Sequence, residues 1–137
     1  MSMTAEQSEA PALTGEHQPR PAGHERVDDR GRLVEVLNEG TWRSVLTGTM
    51  KAGAIMGNHY HKHTVVYFYL LGGSAMVRTV HVESGRRDEL SLRPGSGVFL
   101  PVMESHAIQF IEPSSFIMLK SRPYDPKEPD TYRFPVT

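Results

Sequence analysis

Short segments of alternating or continuous apolar residues, separated by turn residues, run along the chain from about residue 27. The clearest is Val65–Leu71, a run of β-branched and aromatic residues that is typical of a buried strand. Gly72-Gly73 and Pro94-Gly95 mark turns between such segments, and no long segment keeps a helical period. Strands are therefore predicted at residues 33–37, 42–50, 54–60, 65–71, 74–82, 88–92, 97–100, 105–111 and 115–121. Many short strands with Gly/Pro turns favour an all-β sandwich or barrel.

The two ends of the chain lack this pattern. Residues 1–25 contain Ser, Glu, Gln, Pro and Gly but no aromatic residue. Such a segment buries too little apolar surface to offset the entropy of ordering. We therefore expect a flexible N-terminal arm at 1–25, followed by a single domain at 26–137. The tail from Pro123 to Pro135 contains four prolines and is expected to be an extended surface segment.

Charge and composition argue against several functions. The chain has 15 Lys+Arg against 16 Asp+Glu and no basic block, which argues against electrostatic binding of nucleic acid. Its longest apolar run is far too short to span a bilayer, and the N-terminus lacks the basic-then-apolar pattern of a secretory signal. We therefore expect a cytoplasmic protein with no membrane segment. Because the chain has no cysteine, any metal site must use His and oxygen donors.

Histidines recur at alternate positions just before the strongest predicted strand, as His59, His61 and His63. Side chains of an extended strand point to opposite faces in turn, so these three can share one face. Neutral imidazole is the commonest protein ligand for zinc, iron, nickel and copper. Another candidate, His106, follows the segment 95–101. Two strands of one barrel could bring these side chains together around a metal ion.

The spacing around these histidines resembles the first motif of the cupin superfamily. That motif reads Gly, five residues, His-x-His, four residues, Glu, six residues, Gly. Gly53, His59, His61 and Gly73 stand at the matching positions, and Val66 replaces the glutamate.

The second cupin motif is matched in the same order along the chain. It reads Gly, five residues, Pro-x-Gly, two residues, His, three residues, Asn. Gly95, Pro101 and His106 match, while Met103 replaces the glycine and Phe110 the asparagine. The resemblance implies a cupin jelly-roll β-barrel over roughly residues 28–132.

A closer likeness is to the C-terminal cupin domain of bifunctional capsular-polysaccharide enzymes that epimerise and reduce a sugar nucleotide. The segments that carry it are 57–61, 73–78 and 124–132. In that family the cupin half epimerises a carbon next to a ketone and carries a metal. The likeness covers only the cupin half, so at most the isomerase half is expected to carry over.

The resemblance implies a divalent metal, zinc, iron or nickel, bound by His59, His61 and His106. The fourth cupin ligand falls on Val66, which cannot bind a metal. Three neutral imidazoles would leave the ion its full charge and make it a stronger Lewis acid, or else the metal has been lost. His63 could replace the missing fourth ligand.

The alternation of side chains also predicts the residues that line the pocket. On the predicted strands 65–71 and 105–111, the side chains expected to point inward include Phe68, Leu70, Ile108 and Phe110. They would form an apolar substrate pocket or else fill the barrel as core. Arg78 could hold a carboxylate or phosphate of the substrate or lie exposed on the sheet.

These expectations define the predicted function. The favoured one is a metal-dependent isomerase, cyclase or dehydratase acting next to the carbonyl of a small-molecule substrate, with His63 or Glu104 moving the proton. The alternatives are a three-histidine iron oxygenase, a non-catalytic ligand-binding cupin and a sugar-nucleotide epimerase. A homodimer formed through edge strands is also expected.

Overall fold

The computed structural model describes residues 17–137, which form β-strands joined by turns and loops. In chain order the strands are β1 Arg20–Pro21, β2 His24–Asp28, β3 Gly31–Glu35, β4 Ser44–Met50, β5 Ile55–Tyr60, β6 Val66–Gly72, β7 Ala75–His81, β8 Arg87–Leu92, β9 Ser96–Leu100, β10 Glu104–Phe110, β11 Ser114–Lys120 and β12 Tyr132–Arg133. Strands β3 to β11 correspond to the nine predicted segments, with ends that differ by at most two residues. The prediction missed β1, β2 and β12.

The strands form two five-stranded antiparallel sheets and a separate hairpin. One sheet has the order β12-β5-β10-β7-β8, the other has the order β1-β9-β6-β11-β4, and β2 pairs with β3 in the hairpin. Neighbours in each sheet are mostly distant in sequence, as expected for a jelly roll rather than a meander. The all-β cupin jelly-roll fold predicted from the two motifs is confirmed.

Alternate side chains of the two sheets meet in a hydrophobic core. Three aromatic rings at its centre pack with centroid distances of 5.1 Å for Phe68–Phe116, 5.7 Å for Phe110–Phe116 and 6.2 Å for Phe68–Phe110. The core also contains Val66, Leu70, Ala75, Val77, Leu90, Leu92, Val98, Leu100 and Ile108. Burial of these side chains stabilises the barrel and fixes the register that positions the site.

The N-terminal arm predicted at 1–25 needs correction where the structure describes it. Residues 1–16 of that arm lie outside the described residues. Beyond them, Arg20 and Pro21 pair with β9, and β2 already begins at His24. The Arg20 guanidinium also stacks over the Phe99 ring at 4.8 Å. Backbone pairing and this cation–π contact hold a segment that composition alone predicted to be unattached.

The C-terminal tail is partly an additional strand. Tyr132 and Arg133 of β12 pair with Tyr60 and His59 of β5, and the Tyr132 and Tyr60 rings pack at 5.4 Å. The backbone N–H of Val136 donates to the side-chain oxygen of Asn58 at 2.8 Å. The tail therefore supports the strand that carries the first predicted metal ligand.

The sequence predicted no membrane segment and a homodimer formed through edge strands. Within residues 17–137 no helix has the length and apolar character needed to cross a membrane. Within residues 17–137, the edge strands of the two sheets are β1 and β4 in one and β8 and β12 in the other. The homodimer predicted from edge strands remains a prediction.

Candidate functional site

A β-bulge at the end of β5 turns His59 toward the barrel interior. His106 pairs with His59, and the next residue, Ala107, pairs with Gly57, so Asn58 is the extra residue. Gly57 and Asn58 have φ angles of 104° and 60°. A Cβ atom at Gly57 would clash with the carbonyl oxygen of His106, so this close approach requires glycine. Because directly paired residues share a face, His59 and His106 lie side by side.

A strained turn holds His61 next to the start of β10. Met103 occupies the position of the motif glycine and still has a φ of 62°. Its backbone N–H donates to the carbonyl oxygen of His61 at 2.7 Å, and its carbonyl accepts from the N–H of Val82 at 3.0 Å. These hydrogen bonds keep a left-handed conformation that a residue with a Cβ atom adopts only at a cost.

The imidazoles of His59, His61 and His106 form one cluster. Their ring centroids are 5.0 Å apart for His59–His106, 5.1 Å for His59–His61 and 5.5 Å for His61–His106. One nitrogen of each ring lies within 4.8 Å of those of the other two. His61 and His106 are buried and His59 is partly buried. The structure thus brings together the three histidines predicted as metal ligands, which could share one ion.

Burial keeps these imidazoles neutral. Loss of hydration, followed by repulsion from His61, lowers the pKa of His59 to about 4. The same two effects, with both neighbouring imidazoles contributing, lower the pKa of His106 to about 3. Burial likewise lowers the pKa of His61 below its ordinary value. Neutral imidazoles carry the free lone pair that a metal ion needs, so no proton has to be displaced at neutral pH.

Asp130 of the tail orients His61 and the loop that follows it. His61 Nδ1 donates to the Asp130 carbonyl oxygen at 2.6 Å, which leaves Nε2 as the unprotonated nitrogen. The Asp130 carboxylate accepts from the N–H groups of Lys62 and His63 and from the Thr64 hydroxyl, each at 2.8 Å. A tail residue far along the chain therefore fixes the tautomer of a central site residue.

The histidine cluster opens into a cavity of about 100 Å³. Its lining consists of apolar side chains, the three imidazoles and one lysine: Met56, Gly57, His59, His61, Val66, Leu100, His106, Ile108, Met118 and Lys120. Sequence reasoning identified the histidines and Ile108 but missed Met56, Met118 and Lys120. The alternation of side chains along β5 and β11 could have identified them, since it places Met118 and Lys120 on one face of β11.

Several residues predicted to bind substrate lie elsewhere. Phe68, Leu70 and Phe110 are fully buried in the core and do not line the cavity. Arg78 bonds to Glu89 Oε2 and Gln109 Oε1, both at 2.9 Å, in a cross-strand pair. We correct the first three assignments because alternation predicts the face of a side chain but not its depth in the barrel. We correct Arg78 because its guanidinium is held by Glu89 and Gln109.

The predicted base His63 also lies outside the cavity. Its side chain is exposed, and strand β5 already ends at Tyr60. The two-residue period that would align His63 with His59 therefore stops before it. His63 is corrected to a loop residue whose backbone N–H is held by Asp130.

Glu104, the other predicted base, is buried in an ion pair with the N-terminal segment. His17 Nε2 lies 2.7 Å from Glu104 Oε1, and His17 Nδ1 lies 3.0 Å from Asp88 Oδ2. Both ring nitrogens face carboxylate oxygens, an arrangement that requires the doubly protonated imidazolium. Glu104 does not line the histidine cavity. We therefore assign it to anchoring residue 17 rather than to proton transfer.

The anchoring of His17 should depend on pH. The hydrogen bond to Glu104 is the main cause that raises the pKa of His17 to about 9, against the opposing effect of burial. Because the folded pKa exceeds the ordinary value of 6.5, this stabilisation is complete below pH 6.5 and is lost as pH rises through about 9. Thermal unfolding across this range should show a fall in Tm for the native chain that is absent in His17→Ala. Equal pH profiles for the two proteins would contradict the ion pair.

Most of the chain matches the profile of one protein family. The profile of the family described as "Polysaccharide biosynthesis C-terminal domain" matches residues 26–132. The chain belongs to the polysaccharide biosynthesis C-terminal domain family. This membership confirms the resemblance to capsular-polysaccharide enzymes seen in the sequence. A search of curated proteins finds no match.

Solved structures similar to this family member include enzymes of sugar metabolism. The capsular polysaccharide assembling protein CapF of Staphylococcus aureus is 28% identical with a TM-score of 0.66. That match covers 82% of this chain but 34% of CapF, so the chain spans about a third of CapF. Another CapF structure contains the inhibitor 3-isopropenyl-tropolone.

Two more distant similarities show the fold. The RmlC epimerase of Mycobacterium tuberculosis is 20% identical, with a TM-score of 0.72 over 88% of this chain and 71% of that one. The QdtA 3,4-ketoisomerase of Thermoanaerobacterium thermosaccharolyticum is 22% identical, with a TM-score of 0.69 over 88% of this chain and 89% of that one. Both establish the jelly-roll architecture for this member of the polysaccharide biosynthesis C-terminal domain family.

Proposed function

We propose that the protein is an isomerase that epimerises a sugar nucleotide at a carbon next to a ketone. The observation that carries this proposal is the cluster of three neutral imidazoles at a cavity in a chain of the polysaccharide biosynthesis C-terminal domain family. Epimerisation next to a ketone needs a group that polarises the carbonyl and a dry site that keeps the carbanion from other reactions. The cavity is lined mainly by apolar side chains, and an ion held by the three imidazoles would polarise the carbonyl.

The names of the similar proteins support this reaction class. They describe an epimerase, a 3,4-ketoisomerase and a capsular polysaccharide assembling protein. An epimerase inverts the configuration at a carbon, and a 3,4-ketoisomerase moves a carbonyl between adjacent carbons. We therefore prefer the sugar-nucleotide epimerase, one of the alternatives drawn from the sequence, to a cyclase or dehydratase.

We further propose a divalent metal as the cofactor. The donor set fits one, because three neutral imidazole nitrogens converge and the tautomer of His61 is fixed by Asp130. In addition, His106 Nδ1 is buried with no hydrogen-bond partner among the described residues. A bound ion would polarise the substrate ketone and lower the pKa of the adjacent C–H.

The size of the cavity limits which part of the substrate enters it. At about 100 Å³ it is smaller than the several hundred Å³ of a typical ligand pocket, so it can take only the reacting end of a sugar nucleotide. A second groove shares His61 and Lys120 with the cavity and extends along residues 122–131. The nucleotide would lie outside the cavity while Met56, Val66 and Met118 exclude water around the keto carbon.

Deuterium incorporation tests the proposed reaction. Zinc-loaded protein is incubated in D2O with a panel of nucleoside-diphosphate 4-keto-6-deoxy sugars, and the sugar protons are followed by NMR. We expect deuterium at a carbon next to the ketone and the appearance of the epimer. His61→Ala should lose this exchange, and His63→Ala, two residues away and exposed, should keep it.

The deuterium experiment tests the metal cofactor and the isomerase reaction separately. Exchange that survives complete removal of the metal would overturn the proposed cofactor and leave the isomerase. Absence of exchange with every keto sugar in the panel would contradict the isomerase itself.

A further inference from the structure

Lys120 lies beside the position where the cupin motif has its glutamate. It is the last residue of β11 and pairs directly with Val66 of β6. Paired residues of antiparallel strands share a face, so Lys120 and Val66 point to the same side of the sheet. Both line the cavity together with the three histidines. A glutamate at position 66 would stand opposite this lysine, but the valine provides no charge.

Within residues 17–137, Lys120 takes part in none of the ion pairs between charged side chains. None of the described residues that line the cavity is a carboxylate, and the histidines there are neutral. Lys120 is partly buried, and its charge contributes to the lowered pKa of His59, His61 and His106. A cation that has no ion-pair partner and lies next to an apolar cavity favours a negatively charged ligand.

The charges outside the cavity indicate on which side this ligand sits. The groove that shares Lys120 is also lined by Arg122 and by the carboxylates of Asp125, Glu128 and Asp130. Three carboxylates repel an anion, whereas the inner cavity has none among its described lining residues. An oxyanion that pairs with Lys120 is therefore favoured on the inner side, next to the histidine cluster.

We propose that Lys120 forms an oxyanion site, in which its ammonium group donates a hydrogen bond to a negatively charged substrate oxygen. The assignment of that oxygen rests on the proposed function. When the C–H bond next to the ketone breaks, its electron pair forms a C=C bond and the carbonyl π pair moves onto oxygen, while the proton passes to a base in exchange with solvent. A solvent-derived proton is then delivered to the opposite face of the same carbon. Lys120 stabilises the enolate oxygen between these two transfers.

A binding experiment tests the site without requiring turnover. The probe is oxalate, a planar dianion that resembles an enolate, titrated calorimetrically into the metal-free full chain so that chelation plays no part. We expect Lys120→Met to weaken oxalate binding by roughly 10- to 100-fold, as for loss of a charge-assisted hydrogen bond, and Lys120→Arg to retain most of it. Arg122→Met is the matched control, because Arg122 lines the outer groove but not the cavity.

Oxalate binding that is unchanged in Lys120→Met, or that depends on Arg122 instead, would overturn the proposal. Diphosphate is titrated in parallel to identify the source of the oxyanion. If diphosphate binding depends on Lys120 and oxalate binding does not, the enolate assignment is overturned and the site fits a nucleotide phosphate.

Turnover separates this proposal from the function on which it rests. If Lys120 stabilises the enolate, Lys120→Met should lower kcat for deuterium exchange by roughly 100-fold with little change in KM, because the charge exists only during reaction. Normal deuterium exchange in Lys120→Met would refute the role of Lys120 in stabilising the enolate and leave the isomerase proposal intact. Oxalate binding that depends on Lys120 in a protein without exchange would refute the isomerase and leave the oxyanion site.

Discussion

Replacing His106 with alanine should abolish metal binding while the barrel remains folded. The side chain is buried, its Nδ1 has no partner among the described residues, and its ring lies 5.0 Å from His59 and 5.5 Å from His61. Loss of an outer hydrogen bond to a metal ligand already weakens binding about 10- to 100-fold, and loss of one of three ligands should weaken it further. Elemental analysis after loading with zinc and dialysis measures the occupancy.

The matched control for this substitution is His63→Ala. His63 is close to the cluster in sequence but exposed on the loop held by Asp130, so its loss should leave zinc content unchanged. Full zinc occupancy in His106→Ala, with circular dichroism unchanged, would show that His106 is not a ligand.

Replacing Phe110 with alanine should lower the free energy of unfolding by about 3–5 kcal/mol. The ring is fully buried and packs on Phe116 at 5.7 Å and Phe68 at 6.2 Å, so the truncation leaves a cavity that the surrounding rings cannot close. This is a large part of the roughly 5–15 kcal/mol that stabilises a typical domain. Urea-induced unfolding followed by fluorescence measures the change.

Phe110→Leu keeps most of the volume and serves as the folded companion variant. We expect it to lose roughly 1–3 kcal/mol of stability and to bind substrate as the native chain does. A variant of normal stability with a large rise in KM would return Phe110 to the substrate pocket, where the sequence pattern first placed it.

The elements that the sequence predicted well are those set by local pattern. Glycine and proline turns delimit most of the strands from β4 to β11, and the spacing of two motifs identified His59, His61 and His106. Both signals lie within a few residues of the features they describe. The left-handed turn at Met103 persisted even where the motif glycine was replaced, because hydrogen bonds to its neighbours hold it.

What the sequence missed depends on contacts between distant residues. His17 is anchored by Asp88, which is 71 positions away, so the composition of the arm could not predict it. Lys120 reaches the cavity through the register of β11 with β6, which is fixed only when the sheet forms. Phe110 and Ile108 share a face, yet only Ile108 lines the cavity, because the depth of a side chain depends on the whole barrel.

Cobalt substitution offers the most direct test of the claim that the three histidines form a metal centre acting on a sugar ketone. Co²⁺ is added to the metal-free full chain, and its visible absorption is recorded during titration with a nucleoside-diphosphate 4-keto sugar. We predict one Co²⁺ per chain, a saturable spectral change with the keto sugar, and loss of the cobalt spectrum in His106→Ala. A chain that binds no cobalt, or a cobalt spectrum that stays constant while the keto sugar exchanges deuterium, would contradict the account.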